Sequence, residues 1–473
     1  MLNCIQTLWT SDKSLIKDSF GWASPQSHLM AWALSSLLLK KQFRELRLYT
    51  DHNGARILID RLQLPYTDVI TNYDNLSCPS SHWGIAKILT YADQKEPFIH
   101  IDGDIFINNK IRPQILKGRL IAQNEERGTA YYRNMMCKLT VDGRTLPNFL
   151  SEELEKNSIG SYNLGIMGGN DIDFIHRYAT TAIRIIRANH WGDPLFAHPS
   201  INYNLLFEQV LFYALVKHEG ATVETFFPGK LNDNGYTYND FSDFYKLPSS
   251  PLLHLLGGFK RKEHTCKLME QTLLYLYPEY YERVIKNFAD KDIKLPSKDE
   301  YNTGDLNAQT YFAQYIEFIK GKIVEWRSIE SAELLNLERL STVFIDFHQA
   351  VIGEKLMYRF KLNPYLSIFH IPEEWPQTAK SLLNAKLSNR YNKDGTDILL
   401  IPKIEGKGYM EILINDLEYD IIYLLRSPRT FKNLMERLKP CFKNGQGVDT
   451  HKYTSLIASV TEKLLMQNAI IPV

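Results

Sequence analysis

Residues 97–107 read Pro97-Phe98-Ile99-His100-Ile101-Asp102-Gly103-Asp104-Ile105-Phe106-Ile107, PFIHIDGDIFI, an apolar run that carries two carboxylates two positions apart. The run has the composition of a buried strand. Strands alternate faces with a period of two, so both carboxylates are expected on one side, with Gly103 leaving room between them for a ligand. Two like charges that close would force one to protonate if buried alone. A bound divalent cation removes that conflict, and carboxylate oxygens suit Mg²⁺ or Mn²⁺. The pair is therefore read as a metal site; a turn with two solvated acids is the plainer use of the same residues.

Outward from this stretch, strand-like and helix-like segments alternate. Cys4 to Trp9 is a short apolar strand, and a helix opens at Ser24 with Pro25 in its first position. Leu46 to Asp51 is a second strand, and His82 to Gln94 a helix that runs into PFIHIDGDIFI. That order predicts an α/β fold with a mostly parallel sheet and helices on its faces. Ligands in such sheets bind outside the carboxyl ends of the strands, where Asp51 and the Asp102/Asp104 pair fall. Downstream come SYNLGIMGGND (161–171), helices over about 171–189 and 205–218, and a polar, aromatic segment, 228–250. The last has no clean period and reads as a long loop able to close over a site. It leads into PLLHLLGGFKRK (251–262).

At 473 residues the chain exceeds one ordinary core, which stops growing at roughly 250–300 residues. The expected division is a catalytic domain over 1–290, a helical linker region over 291–350 beginning in the Lys/Asp/Pro/Gly-rich stretch 290–304, and an α+β domain over 351–473. Fifty-five Lys and Arg against 54 Asp and Glu give a net charge of +1, which provides no global field for nucleic acid or an anionic membrane. The five cysteines are odd in number, scattered and never spaced as CxxC, arguing against a disulfide framework or a structural zinc. The longest apolar block, Leu29 to Leu39, is well short of the ~20 residues of a membrane span. No signal segment is legible at the N-terminus, so a cytoplasmic protein is expected.

The Asp102-Gly103-Asp104 motif, followed much later by His254, Gly257 and Lys260 in HLLGGFK, resembles GT-A fold glycosyltransferases, particularly the glycogenin-like family 8. The resemblance covers roughly the first 265 residues in order and spacing. It implies a Rossmann-like nucleotide-sugar domain in which Asp102, Asp104 and His254 hold Mn²⁺ or Mg²⁺ on the diphosphate of a nucleotide-sugar while Lys260 contacts the phosphates. It further implies nucleotide or donor-sugar contacts at Thr7, Trp9, Asp51 and Lys87, and at Asn163 and Gly169 of YNLGIMGG. Glu208 and Gln209 resemble the acidic-Gln pair near the acceptor. The stretch 129–150 matches nothing in that family, so the stereochemistry is open. Retention is favoured; an inverting enzyme would use a carboxylate base, for which Asp171 or Glu208 could serve.

The last part of the chain carries three helical stripes, over 417–425, 431–438 and 456–465, and a closing AIIPV. From Glu411 on it holds eight Lys and Arg against seven Asp and Glu, too even a balance for a phosphate-binding face. With the preceding strands it resembles the winged-helix-like precursor-peptide recognition elements of enzymes that modify ribosomally made peptides. This implies a peptide acceptor added as a strand to a sheet edge. The same helices could instead pack on the catalytic domain or pair two copies as a homodimer. The expected activity is hexose transfer from a nucleotide diphosphate sugar. The rivals are a haloacid-dehalogenase-type phosphatase, whose nucleophile motif is also DxD, and a degenerate transferase kept as a scaffold subunit.

Overall fold

The computed structural model describes residues 2–11, 13–128, 132, 134, 145–193, 202–232, 235–288, 296, 306–387, 395, 397–404, 408–442 and 449–473. The chain divides into two compact units, Met1–Leu273 and Leu274–Val473.

The first unit is the expected α/β sandwich. Strands β1 (Asn3–Leu8), β2 (Leu46–Thr50), β3 (Asp68–Thr71) and β4 (Phe98–Ile101) precede a two-residue strand β5 (Ile105–Phe106). Then come β6 (Leu120–Arg127), β7 (Gly160–Gly169), β8 (Val223–Thr225), β9 (Lys230–Asn232) and β10 (Leu253–His254). Eight of these form one sheet in the order β3-β2-β1-β4-β7-β6-β8, with β9 also on β6. Every pairing is parallel except those of β7, which runs opposite to β4 and β6. The carboxyl ends of β1, β2, β4 and β6 therefore share one rim.

Helix Pro25–Lys40 begins where the sequence predicts, with the Ser24 hydroxyl accepting from the Ser27 N–H. Thirteen of its sixteen residues are buried, so it lacks the one-sided pattern of a surface helix and carries Trp32 into the interior. Helices Gly84–Asp93, Ile172–Ala188 and Leu211–Glu219 pack with β1, β4, β6 and β7 in one large core that includes Tyr91, Phe98, Met167, Tyr178 and Phe212. Cys4, Ile99, Ile105, Ile121 and Ile166 belong to a second cluster.

Segment 228–250 departs from the expected long loop. It holds β9 and short helical turns at Tyr238–Phe241 and Phe244–Lys246. Phe241 lies against Phe227 and Tyr236, and Phe244 against Phe106. Isolated aromatic anchors pin a segment without giving it a period, which is why the pattern was not legible.

The second unit contains helices Leu306–Trp326 and Ser331–Ser341, strands β11 (Arg359–Leu362) and β12 (Ser367–His370), and helix Gln377–Leu387. Strands β13 (Asp397–Pro402) and β14 (Tyr409–Ile414) follow, then helix Asp416–Leu424, β15 (Arg429–Thr430), helices Phe431–Leu438 and Thr450–Met466, and β16 (Ile470–Pro472). β12-β13-β14 is an antiparallel sheet, and β15-β11-β16 a second one. The region expected as a helical linker over 291–350 carries the first two of these helices. Phe312, Ile316, Ile319 and Ile323 of the first helix share a core with Phe369, Trp375, Ile398 and Leu413, because that face buries its apolar residues against the sheet. The linker stretch 290–304 itself lies outside the described residues except Pro296. Among the described residues no helix is long and apolar enough to cross a membrane.

Gly168 and Gly169 end β7 where it crosses the starts of β4 and β6. Gly169 has φ +135°, and a Cβ there would lie 2.3 Å from the Arg119 carbonyl oxygen. Both glycines are thus needed by the sheet, and Gly169, expected at the donor sugar, lies at the edge opposite Asp102. Gly169→Ala should destabilise the fold by about 2–4 kcal/mol, read as a lower urea midpoint; an unchanged midpoint would refute the steric account.

Candidate active site

The strand containing His100 stops at Ile101, and Asp102 to Asp104 form a tight turn closed by the Ile105 N–H donating to the Asp102 carbonyl at 3.1 Å. The two carboxylates therefore share a cleft through a turn and not through strand periodicity. Gly103 is required by a neighbour: a Cβ on it would lie 2.6 Å from Trp32 Cε2, so the room expected for a ligand holds an indole.

His254 reaches the pair through the β5–β10 ladder, in which it lies opposite Ile105. The Leu255 N–H donates to the Asp104 carbonyl at 3.0 Å. This sets His254 Nε2 3.4 Å from Asp104 Oδ1. Gln123 Nε2 donates to Asn124 Oδ1, leaving Gln123 Oε1 to face His254 Nδ1 at 2.7 Å. Nδ1 thus carries a proton directed at Gln123, and Nε2 faces a carboxylate oxygen. Gly165 makes this possible, since a Cβ there would lie 2.7 Å from His254 Cε1. Lys260 Nζ lies 2.9 Å from Asp104 Oδ2. Burial would raise the Asp104 carboxyl, but Lys260 and His254 outweigh it and hold it well below the usual range.

Asp102 has a different counter-ion. Lys87, on helix Gly84–Asp93, places Nζ 2.9 Å from Asp102 Oδ1 and 2.5 Å from Glu208 Oε1. Burial raises the Asp102 carboxyl; Lys87 opposes this and Asp104 adds to it. Burial likewise pushes Glu208 up to about 7, against Lys87 and with Asp102. Lys87 is raised even though burial alone would lower it, because Asp102 and Glu208 both favour its charge. Glu208 stands in a wide helical turn, Leu205–Val210, with its side chain only 1% exposed and outside the cleft lining. It faces Lys87. Asp171 is farther off: it caps helix Ile172–Ala188, pairs with Arg119 at 2.6 Å and follows the far end of β7. Neither carboxylate is placed as a general base.

The cleft above these charges has a volume of about 270 Å³, with Thr7, Trp9, Lys87, Asp102, Asp104 and Lys260 among its lining residues. A second cleft of about 400 Å³ adjoins it across Trp9, Thr10 and Ser11. Asp51 lines this one, but its carboxylate is spent locally: Oδ2 accepts from the Thr10 N–H and hydroxyl, and Oδ1 from the Gly54 N–H. It shapes the wall between the clefts. Thr7 bonds Thr90 and His100. Gly257 adopts φ +55° in the turn before Lys260 and does not line the cleft.

A family model described as a family of unknown function (DUF6734) matches residues 2–287. The chain belongs to that family. No curated protein matches it in sequence. Among solved structures it is similar to the apo form of mouse xyloside xylosyltransferase 1, at 12% identity and a TM-score of 0.25, over 47% of this chain and 84% of that one. It is also similar to the apo structure of the bifunctional glycosyltransferase WbbM, at 11% identity and a TM-score of 0.31. That similarity covers 60% of this chain and 49% of the other, so the chain spans about half of WbbM.

The family chain also assembles a polar network beside His254. Glu126 accepts from Tyr132 at 2.6 Å, Ser161 at 3.1 Å, Asn163 at 3.3 Å and Tyr236. Gln209 joins it through the Tyr132 hydroxyl at 2.7 Å. Asn163 and Gln209 are thereby drawn together, and Tyr236 ties segment 228–250 to β6.

Sequence reasoning missed much of the cleft wall: Lys13, Phe20, Trp22, His28, Trp32 and Trp83. The excess of aromatics was visible; which of them share a wall was not. His28 accepts from Trp32 Nε1 at 2.9 Å, stacks on Phe20 and is buried. Burial lowers its pKa to about 3, with Lys260 adding to the effect and Asp104 opposing it. The unfolded chain, titrating near 6.5, then binds more protons between those values, so stability rises with pH across that window. Acidification from pH 6.5 should cost up to about 1.4 kcal/mol per pH unit from this ring. Urea unfolding at several pH values should show a shallower slope for His28→Gln; equal slopes would refute the assignment.

Proposed function

We propose that this chain is a metal-dependent GT-A-type glycosyltransferase that moves a hexose from a nucleoside diphosphate sugar to an acceptor nucleophile. The observation that carries the reading is the meeting of Asp104, His254 and Lys260 at the carboxyl end of the sheet, from positions some 150 residues apart.

Among the described residues no group of three or more His, Cys, Asp or Glu stands ready-made to hold a metal ion. The donor chemistry nevertheless fits one. An imidazole nitrogen 3.4 Å from an Asp104 oxygen, beside the neighbouring Asp102, makes a mixed oxygen and nitrogen donor set of the kind that suits a divalent cation. Asp102, Asp104 and His254 would hold Mn²⁺ or Mg²⁺, which when bound supplies charge neutralisation to the departing diphosphate. Lys260, about a quarter exposed, can exchange Asp104 for phosphate oxygens. Lys13 adds a further ammonium to the same wall. Trp9, Trp22, Trp32 and Phe20 exclude water and offer apolar faces to a sugar or base. Retention is the proposed stereochemistry, in keeping with Glu208 being buried against Lys87 and Asp171 lying at the opposite edge of the sheet.

In the second unit β12 and β14 are the outer strands of their sheet, the edge an extended peptide acceptor would pair with. The phosphatase reading places its motif after the first strand of the domain; here the acids follow the fourth. A binding subunit without turnover has one observation in its favour, that both acids already carry ammonium partners.

Incubation of the full chain with a panel of nucleotide-sugars and Mn²⁺ should release nucleoside diphosphate. Asp104→Asn should lower that release at least 100-fold while the protein stays folded. Turnover by Asp104→Asn near the parent rate would exclude this mechanism, and phosphate release from a phosphomonoester would point to the phosphatase.

A further inference from the structure

We propose that Glu208 is a positioning residue that sets, through Lys87, how strongly Asp102 attracts a cation. The inference rests on the reading of the cleft as a divalent-cation and nucleotide-sugar site. Lys87 is not free to serve a ligand. Its ammonium lies 2.9 and 3.1 Å from the two Asp102 oxygens, 2.5 Å from Glu208 and 3.2 Å from the Leu164 carbonyl. Trp83 covers it at 5.4 Å, and the side chain is 5% exposed. Lys260 differs on both counts: it is more exposed, and among the described residues Asp104 is its one carboxylate partner. The site therefore has one displaceable counter-ion and one fixed one.

A fixed ammonium paired with Asp102 alone would cancel the charge that a metal ligand needs. Glu208 prevents this by drawing Lys87 between two carboxylates, so part of the Asp102 charge remains for a cation. A fully buried carboxylate costs too much desolvation to be kept without a partner, and Lys87 is the ion-pair partner shown for it. Its position is fixed from the backbone: the wide turn Leu205–Val210 sets its direction, and the Tyr178 hydroxyl donates to the Glu208 carbonyl at 2.9 Å.

The test is Mn²⁺ titrated calorimetrically into the purified full chain at pH 8, with no nucleotide. Glu208→Gln keeps the volume and removes the charge, so Mn²⁺ affinity should fall about tenfold. Glu208→Asp keeps the charge and should stay within about threefold of the parent. Parent-like Mn²⁺ affinity in Glu208→Gln would overturn the inference and leave the cation reading standing. Equal losses in both variants would overturn it too, since that outcome marks a packing role. A parent chain that binds no Mn²⁺ would overturn the cation reading itself and the inference with it. Should Glu208→Gln not fold, Glu208→Asp decides alone, a tenfold loss counting against the inference.

Discussion

Asp102 and Asp104 share a half-buried turn in which each faces an ammonium group of its own, Lys87 on one side and Lys260 on the other. Like charges this close would otherwise drive one carboxyl to hold a proton. The requirement reaches far into the fold. Lys87 must come from the helix before β4, Lys260 from the turn after β10, and Glu208 from a third helical turn to balance the first ammonium. Much of the first unit can be seen as the scaffold that brings these charges within about 3 Å of one another.

The two lysines are not equivalent. Lys87 is enclosed by Asp102, Glu208 and the Leu164 carbonyl, whereas Lys260 borders the cleft and makes a single carboxylate contact among the described residues. Around them the wall is aromatic, so a ligand's charged part would meet ammonium groups and its rings or hydrocarbon faces would meet indoles. The polar network on Glu126 stands behind His254 and fixes Gln123, Asn124 and Asn163, so the imidazole presents one defined nitrogen.

What the sequence made legible was local. The strand-helix alternation pointed to the α/β class, Ser24 and Pro25 marked a helix start, and the paired acids of DGD inside an apolar run pointed to the right corner, although as a strand and not as the turn they form. His254 and Lys260 were found through a spaced motif and do meet Asp104. The resemblance implies ligand or acceptor-side roles for Gly169 and Glu208, and Asp171 is a candidate base as a carboxylate, but neither a motif nor a residue type reveals direction. One caps a helix at the wrong edge, one faces a buried lysine, and one relieves a backbone clash. The Phe anchors of segment 228–250 have no period, so their packing left no signal along the chain.

By itself the amino-acid sequence determined the elements, the sheet's mostly parallel character and the candidate acids, because hydrophobic period and capping act over a few residues. Only the tertiary structure decided which charges pair, that Trp32 fills the space beside Gly103, and that Gly165 clears the approach of His254. Those contacts join residues separated by tens to hundreds of positions. Their energies depend on distance and on exclusion of water, quantities that exist only once the chain has folded.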